Sequence, residues 1–180
     1  MFENFGVGTL LMIGLAIVIG LYLYRLDKKE KSDSLVALCE PYKRLSTEML
    51  SSLSDADIVR AVAANLLAKT DRRHPDVYHL FPMLSHGRMA VYSVWVICQE
   101  LAVTDLPTLL TTPSGRFVEP AADGFALVGA EACAAALLAA AQTPEDEARS
   151  VALSTAIADE QPLILCAAYI REHLSEFADA

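Results

Sequence analysis

Residues 6–24, GVGTLLMIGLAIVIGLYLY, run for 19 positions without a charged side chain, and no other feature limits the possible structures as much. As a helix rising ~1.5 Å per residue, the stretch reaches about 28 Å, close to the ~30 Å hydrocarbon thickness of a bilayer. Ten of its residues are Leu, Ile or Val. At roughly −0.3 to −0.6 kcal/mol each they favour insertion by about 3 to 6 kcal/mol, before the glycines and Thr9 subtract. The sequence therefore predicts one transmembrane helix. Arg25, Lys28, Lys29 and Lys31 crowd one flank, whereas Met1 to Phe5 offer only Glu3 and the amino group. Basic flanks stay in the cytoplasm. The expected topology is thus single-pass in the inner (cytoplasmic) membrane, with the N-terminus outside and residues 26–180 inside. A cleaved signal peptide would need a basic n-region, a short apolar core of about 7–15 residues and a small-x-small site, none of which is present. The span reads first as a lone anchor, and second as a helix whose small-xxx-small pair, Ala16 and Gly20, lets another membrane helix approach.

The expected organisation is an anchor at 1–25, a charged tether at 26–34 (containing DKKEKSDS) and one helical domain at 35–180. The last is long enough to bury a core of its own. Charge is unevenly placed along the chain. Residues 1–99 hold 11 basic and 10 acidic groups, whereas residues 100–180 hold 3 basic and 13 acidic, so the second half carries −10 and the first +1. Such a surface repels nucleic acid and an anionic leaflet and attracts basic partners. Cys39, Cys98, Cys133 and Cys166 are widely spaced, with no CxxC and no flanking histidine. They read as small apolar core residues, and no metal or cofactor is expected.

The apolar period after the tether is helical throughout. Leu35, Leu38, Tyr42, Leu45, Met49 and Leu53 predict a helix kinked at Pro41. Ser54 with Asp57 is a capping-box start for a helix ending near Lys69. Residues 71–75, DRRHP, read as a solvated loop whose two arginines and histidine are an anion candidate only in second place. Val77–Leu84 predicts one or two helical turns, and Ser85 a cap. Met89–Leu101 is the most apolar segment of the domain and predicts its central helix, with Val91, Val94, Trp95, Cys98 and Leu101 on the buried face. Asp105 caps a short helix at 106–110, and residues 111–116 form a loop. Glu119-Pro120 opens a helix that Gly129 breaks, and an alanine-dense helix follows to Ala141. Thr143 and Pro144 predict the start of a helix ending near Ile157, and Pro162 opens the last one.

Residues 91–141 carry a recognisable pattern. An apolar helix with a tryptophan and a trailing acid, VYSVWVICQEL, leads to the Ser-Gly loop and alanine-rich helix of PSGRFVEPAADGFALVGAEACAAALLAAA. This resembles the acidic bacterial DNA-mimic protein family. There an Asn-Gly-Gly-Phe turn follows the first helix, and here Ala102 to Asp105 stands in its place. The resemblance implies an all-α domain, and a function in which surface acids stand in for DNA phosphates and occupy a DNA-binding protein.

Together these features predict an all-α protein with a membrane-tethered interaction module. Glu145, Asp146, Glu147, Asp159 and Glu160 are the candidate residues for binding a basic cytoplasmic protein. The alternative is an accessory subunit packed into a larger membrane complex through its anchor. An enzyme ranks third, because His86, Glu100, Asp105 and Arg116 belong to no catalytic motif, and Ser85 beside His86 does not supply nucleophile geometry.

Overall fold

The computed structural model describes residues 39–70 and 76–179. The span at 6–24, the tether at 26–34 and the loop at 71–75 lie outside the described residues. The chain divides into two compact units, Met1–Glu40 and Pro41–Ala180. Of the first, only Cys39 and Glu40 are described. In the second, every regular element among the described residues is helical and none is a strand. The helices are α1 (Thr47–Ser52), α2 (Asp55–Ala68), α3 (His86–Leu101), α4 (Leu106–Thr111), α5 (Val118–Leu127), α6 (Glu131–Gln142), α7 (Glu147–Glu160), α8 (Pro162–Glu172) and α9 (Leu174–Phe177). Short 3-10 turns at Val77–Met83 and Pro113–Phe117 precede α3 and α5.

Local side-chain chemistry sets most of the boundaries. Ser54 Oγ accepts the Asp57 N–H at 3.2 Å and donates to the Asp57 carboxylate at 2.6 Å, which closes the start of α2. Ser85 accepts the Arg88 N–H at 3.3 Å, and Asp105 the Thr108 N–H at 2.9 Å, at the starts of α3 and α4. Gly129 ends α5 with φ +86, in the left-handed region. Its N–H bonds the Ala126 carbonyl and the Ala130 N–H bonds that of Phe125 at 2.8 Å, which is a Schellman ending.

Three expectations about boundaries are corrected. Within the described residues there is no continuous helix up to Leu53. Pro41 sits in a 3-10 turn, and α1 starts only at Thr47, where Ser46 accepts the Met49 N–H at 3.2 Å. Helix α7 begins at Glu147 and not at Thr143-Pro144, because Asp146 takes the cap by accepting the Ala148 N–H at 3.0 Å. It then runs to Glu160, where Gln161 adopts φ 48 and turns the chain into α8.

Helix α3 is central, packing against α2, α4, α5, α8 and α9. Its buried face carries Val91, Val94 and Ile97, all without exposed surface. Against α5 the backbones come unusually close at Gly124, where an added Cβ would lie 2.8 Å from the Ala90 carbonyl oxygen and 2.9 Å from Val94 Cγ2. A glycine inside a helix costs about 1 kcal/mol relative to alanine, and here the close packing it permits offsets that cost. Trp95 departs from expectation. It is only half-buried, as are Cys98 and Leu101, because the fully buried stripe of α3 lies along Val91, Val94 and Ile97.

The end of the chain is locked onto α3. Arg88, 9% exposed, donates from Nη2 to the carbonyl oxygens of Phe177 at 2.6 Å and Ala178 at 3.0 Å, and from Nε to that of Glu176 at 3.0 Å. The Asp179 carboxylate faces the same guanidinium and accepts from Leu45 N–H at 3.0 Å, from Asn65 at 2.9 Å and from Lys69. Burial raises the Asp179 carboxyl, but Lys69, Leu45 and Asn65 outweigh it and hold it at about 2. Glu176 accepts the Gly87 N–H at 2.8 Å, adding a remote cap to α3.

No single described helix is long and apolar enough to cross a membrane. Helices α7 and α8 together meet that length and composition, bent by 46°. Their apolar residues Leu153, Ala156, Cys166 and Ile170 are buried in the helical core, and Asp159 and Glu160 stand next to the bend.

Candidate functional site

The acids of residues 100–180 divide into two groups. Six are committed inside the fold. Asp105 and Asp146 cap their own helices, Glu100 accepts the Ser114 hydroxyl at 2.8 Å, and Glu176 and Asp179 belong to the clasp on α3. Glu160 is the sixth. Helix α6 begins at Glu131 after Ala130, which has no side chain able to cap it, and the Glu160 carboxylate supplies the cap from α7 by accepting the Ala132 and Cys133 N–H groups at 3.0 and 2.8 Å. The Cys133 N–H above all holds the Glu160 carboxyl below its usual range.

The other seven, Glu119, Asp123, Glu131, Glu145, Glu147, Asp159 and Glu172, are exposed and form no ion pair or hydrogen bond among the described residues. The three arginines of this half bind elsewhere. Arg116 pairs with Asp76, Arg149 with Asp146 at 3.5 Å, and Arg171 with Asp55 at 2.8 Å. Of the five residues selected from sequence, Glu145, Glu147 and Asp159 are therefore free acids. Asp146 and Glu160 are structural. The other four, Glu119, Asp123, Glu131 and Glu172, were not selected from sequence; Glu119 and Asp123 stand four residues apart on one side of α5.

The residues considered for catalysis separate. His86 is exposed at the first position of α3, and Ser85 is occupied as its cap. Asp105 lines a groove of about 490 Å³ beside α7, whose Ser154 and Thr155 hydroxyls bond back to their own helix and leave an apolar wall. Glu100 and Arg116 do come together, in a second cleft of about 450 Å³ that Tyr92, Trp95, Gln99 and Phe117 also line. Aromatic rings form a connected row there. Tyr92 lies 6.0 Å from Trp95 and 5.6 Å from Phe117, and Phe117 lies 5.6 Å from Tyr78. The Arg116 guanidinium covers the Tyr78 ring at 5.0 Å and donates from Nε to the Pro113 carbonyl at 2.9 Å. Burial pushes the Tyr92 phenol up, and the Asp76 carboxylate adds to the shift.

Glu100 bonds Ser114, but no histidine or third orienting group lines the cleft with them. All four cysteines are free thiols. Burial pushes both Cys98 and Cys133 up to about 12, so they stay protonated and unreactive at neutral pH. Among the described residues no cluster of His, Cys, Asp and Glu is arranged to hold a metal ion.

The fold and the site thus define an all-helical domain with an acidic surface and one aromatic cleft. No family model, curated protein or solved structure matches the chain.

Proposed function

We propose that the protein is a membrane-tethered interaction module whose acidic helical surface binds a basic cytoplasmic protein. The observation that carries this reading is the set of seven exposed, unpaired acids, with the three arginines of the same half committed to Asp76, Asp146 and Asp55. Their charge reaches solvent uncompensated and attracts cationic surfaces over about a Debye length, ~10 Å at 0.1 M salt. The tether rests on the apolar run at 6–24 and the basic residues Arg25 to Lys31, which favour a cytoplasmic domain. The resemblance to acidic DNA-mimic proteins puts DNA-binding proteins among the basic partners.

Two experiments test this. A reporter active only in the cytoplasm, fused after Ala180, reports activity if the topology is right. Activity of an export-dependent reporter at the same position overturns it. Capture of the tagged full-length protein from membranes, crosslinked after equilibration at each salt concentration, recovers a basic protein at low salt and loses it at high salt. Retention at high salt favours the second reading, an accessory subunit held through Ala16 and Gly20 in the anchor.

A further inference from the structure

The cleft between α3 and the 3-10 turn Pro113–Phe117 combines features that neither the fold nor the acidic surface requires. Trp95 is the chain's single tryptophan, and it is half-buried, with its ring forming a wall of the cleft. Its indole N–H makes no hydrogen bond among the described residues, and no polar side-chain atom there is both buried and unpaired, so the N–H opens to solvent. Glu100 gives one carboxylate oxygen to Ser114 at 2.8 Å and keeps the other without a protein partner. Gln99, exposed and one turn on from Trp95, adds a free amide.

The described residues that line the cleft give it a definite sign. Asp76 and Arg116 neutralise each other, which leaves Glu100 as a net negative charge beside aromatic faces. An aromatic face is the negative side of the ring quadrupole, so ring and carboxylate attract the same kind of ligand. Arg116 cannot readily reverse this, because it is held by Asp76, by the Pro113 carbonyl and by the Tyr78 ring. An anion would have to displace Asp76. A planar cation meets an open ring, a free carboxylate oxygen and an amide carbonyl. A guanidinium suits these better than an ammonium, since it stacks flat on an indole while its edge donates to a carboxylate. The same aromatic row already carries one guanidinium in this way, Arg116 over Tyr78.

We propose that this cleft is a specific subsite for an arginine side chain of the basic partner, with the guanidinium stacked on Trp95 and bonded to the free oxygen of Glu100. The proposal rests on the interaction reading above and adds an anchoring point to it. The exposed acids raise the local concentration of a basic partner, and the cleft selects arginine within it.

Because Trp95 is the only tryptophan, its fluorescence reads the cleft directly. The probe is the blocked peptide acetyl-Gly-Arg-Gly-amide, titrated to millimolar concentration into the full-length protein in detergent at 0.15 M salt. The controls are the isosteric citrulline peptide and a glutamate peptide. A saturable change with the arginine peptide alone, weakened fivefold or more in Glu100→Gln and strengthened in Gln99→Glu, is the expected result. Circular dichroism melts establish that both variants fold. No saturable change, an equal response to citrulline, or a response to the glutamate peptide overturns the subsite. The interaction reading is separated by its own measurement, capture of the partner by variants of Glu119, Asp123, Glu145 and Glu147, which lie outside this cleft. Loss of capture there, with no arginine response at Trp95, sinks the subsite and leaves the acidic surface standing.

Discussion

The guanidinium of Arg88 lies 3.3 Å from the carboxylate of Asp179, joining the first turn of the central helix to the end of the chain across 91 residues of sequence. Three backbone carbonyls, of Glu176, Phe177 and Ala178, spend their acceptor capacity on the same side chain. Arg88→Met removes every one of these partners without changing the bulk of the stem. Denaturant unfolding should show a loss of about 3 kcal/mol, the scale for breaking a buried charge network from one side. Arg88→Lys should recover only part of it, because an ammonium cannot reach the three carbonyls together. A loss below about 0.5 kcal/mol for Arg88→Met would mean that the chain end is not held by this residue.

Asp179 makes the clasp sensitive to acid. Its carboxyl falls from 3.8 to about 2 in the folded protein, so its contribution is complete above about pH 4 and disappears as the pH falls through about 2. Discounted for a side chain 16% exposed, the contribution is about 1 to 2 kcal/mol. The stability gap between the wild type and Asp179→Asn should therefore be widest near neutrality and close toward pH 2. A gap that does not change with pH would assign the effect to hydrogen-bond geometry and not to charge.

Gly124→Ala should cost about 1 to 3 kcal/mol although alanine is the better helix former, because the new methyl would meet the Ala90 carbonyl oxygen at 2.8 Å. An alanine on the exposed side of the same helix, Asp123→Ala, serves as the reference. If Gly124→Ala is as stable as the wild type, α3 and α5 are farther apart than described.

Trp95→Ala should cost about 1 to 2 kcal/mol, since only part of the ring leaves water. Phe125→Ala, fully buried against α3, should cost about 3 to 5 kcal/mol. Calorimetric or chemical unfolding of both variants ranks them. Equal losses would return Trp95 to the core and remove the wall of the aromatic cleft.

What could be read from sequence follows the range of the interactions. Ser54, Ser85, Asp105 and Gly129 act on backbone groups within a few residues, so the sequence alone locates those helix ends. The periodicity of α3 also identifies the central helix, but how deeply its edge is covered depends on which neighbours arrive, and Trp95 packs against the core while staying only half-buried. Glu160 acts 27 and 28 residues away, on the N-terminus of α6, and nothing local distinguishes it from the exposed Asp159 beside it. Arg88 and Asp179 are likewise ordinary charges until the fold joins them. A signal for Glu160 was available in the absence of any capping residue at Ala130, since a helix start without a local cap calls for a donor-satisfying group from elsewhere.

The acidic-surface reading is tested most directly by charge reversal restricted to acids the fold does not use. Glu119, Asp123, Glu145 and Glu147 are exposed and unpaired, whereas Asp146 is left intact because it caps α7. The measurement is capture from membranes, equilibrated at low or at high salt before crosslinking, of the full-length protein carrying all four residues as lysine, beside the wild type. Surface changes of this kind usually stay within about ±0.5 kcal/mol each, so the melting profile should be near that of the wild type. The predicted result is loss of the basic partner that the wild type captures at low salt only. Undiminished capture of the same partner by the fourfold variant, at low and at high salt, would contradict the claim and leave the acids as a solubilising surface.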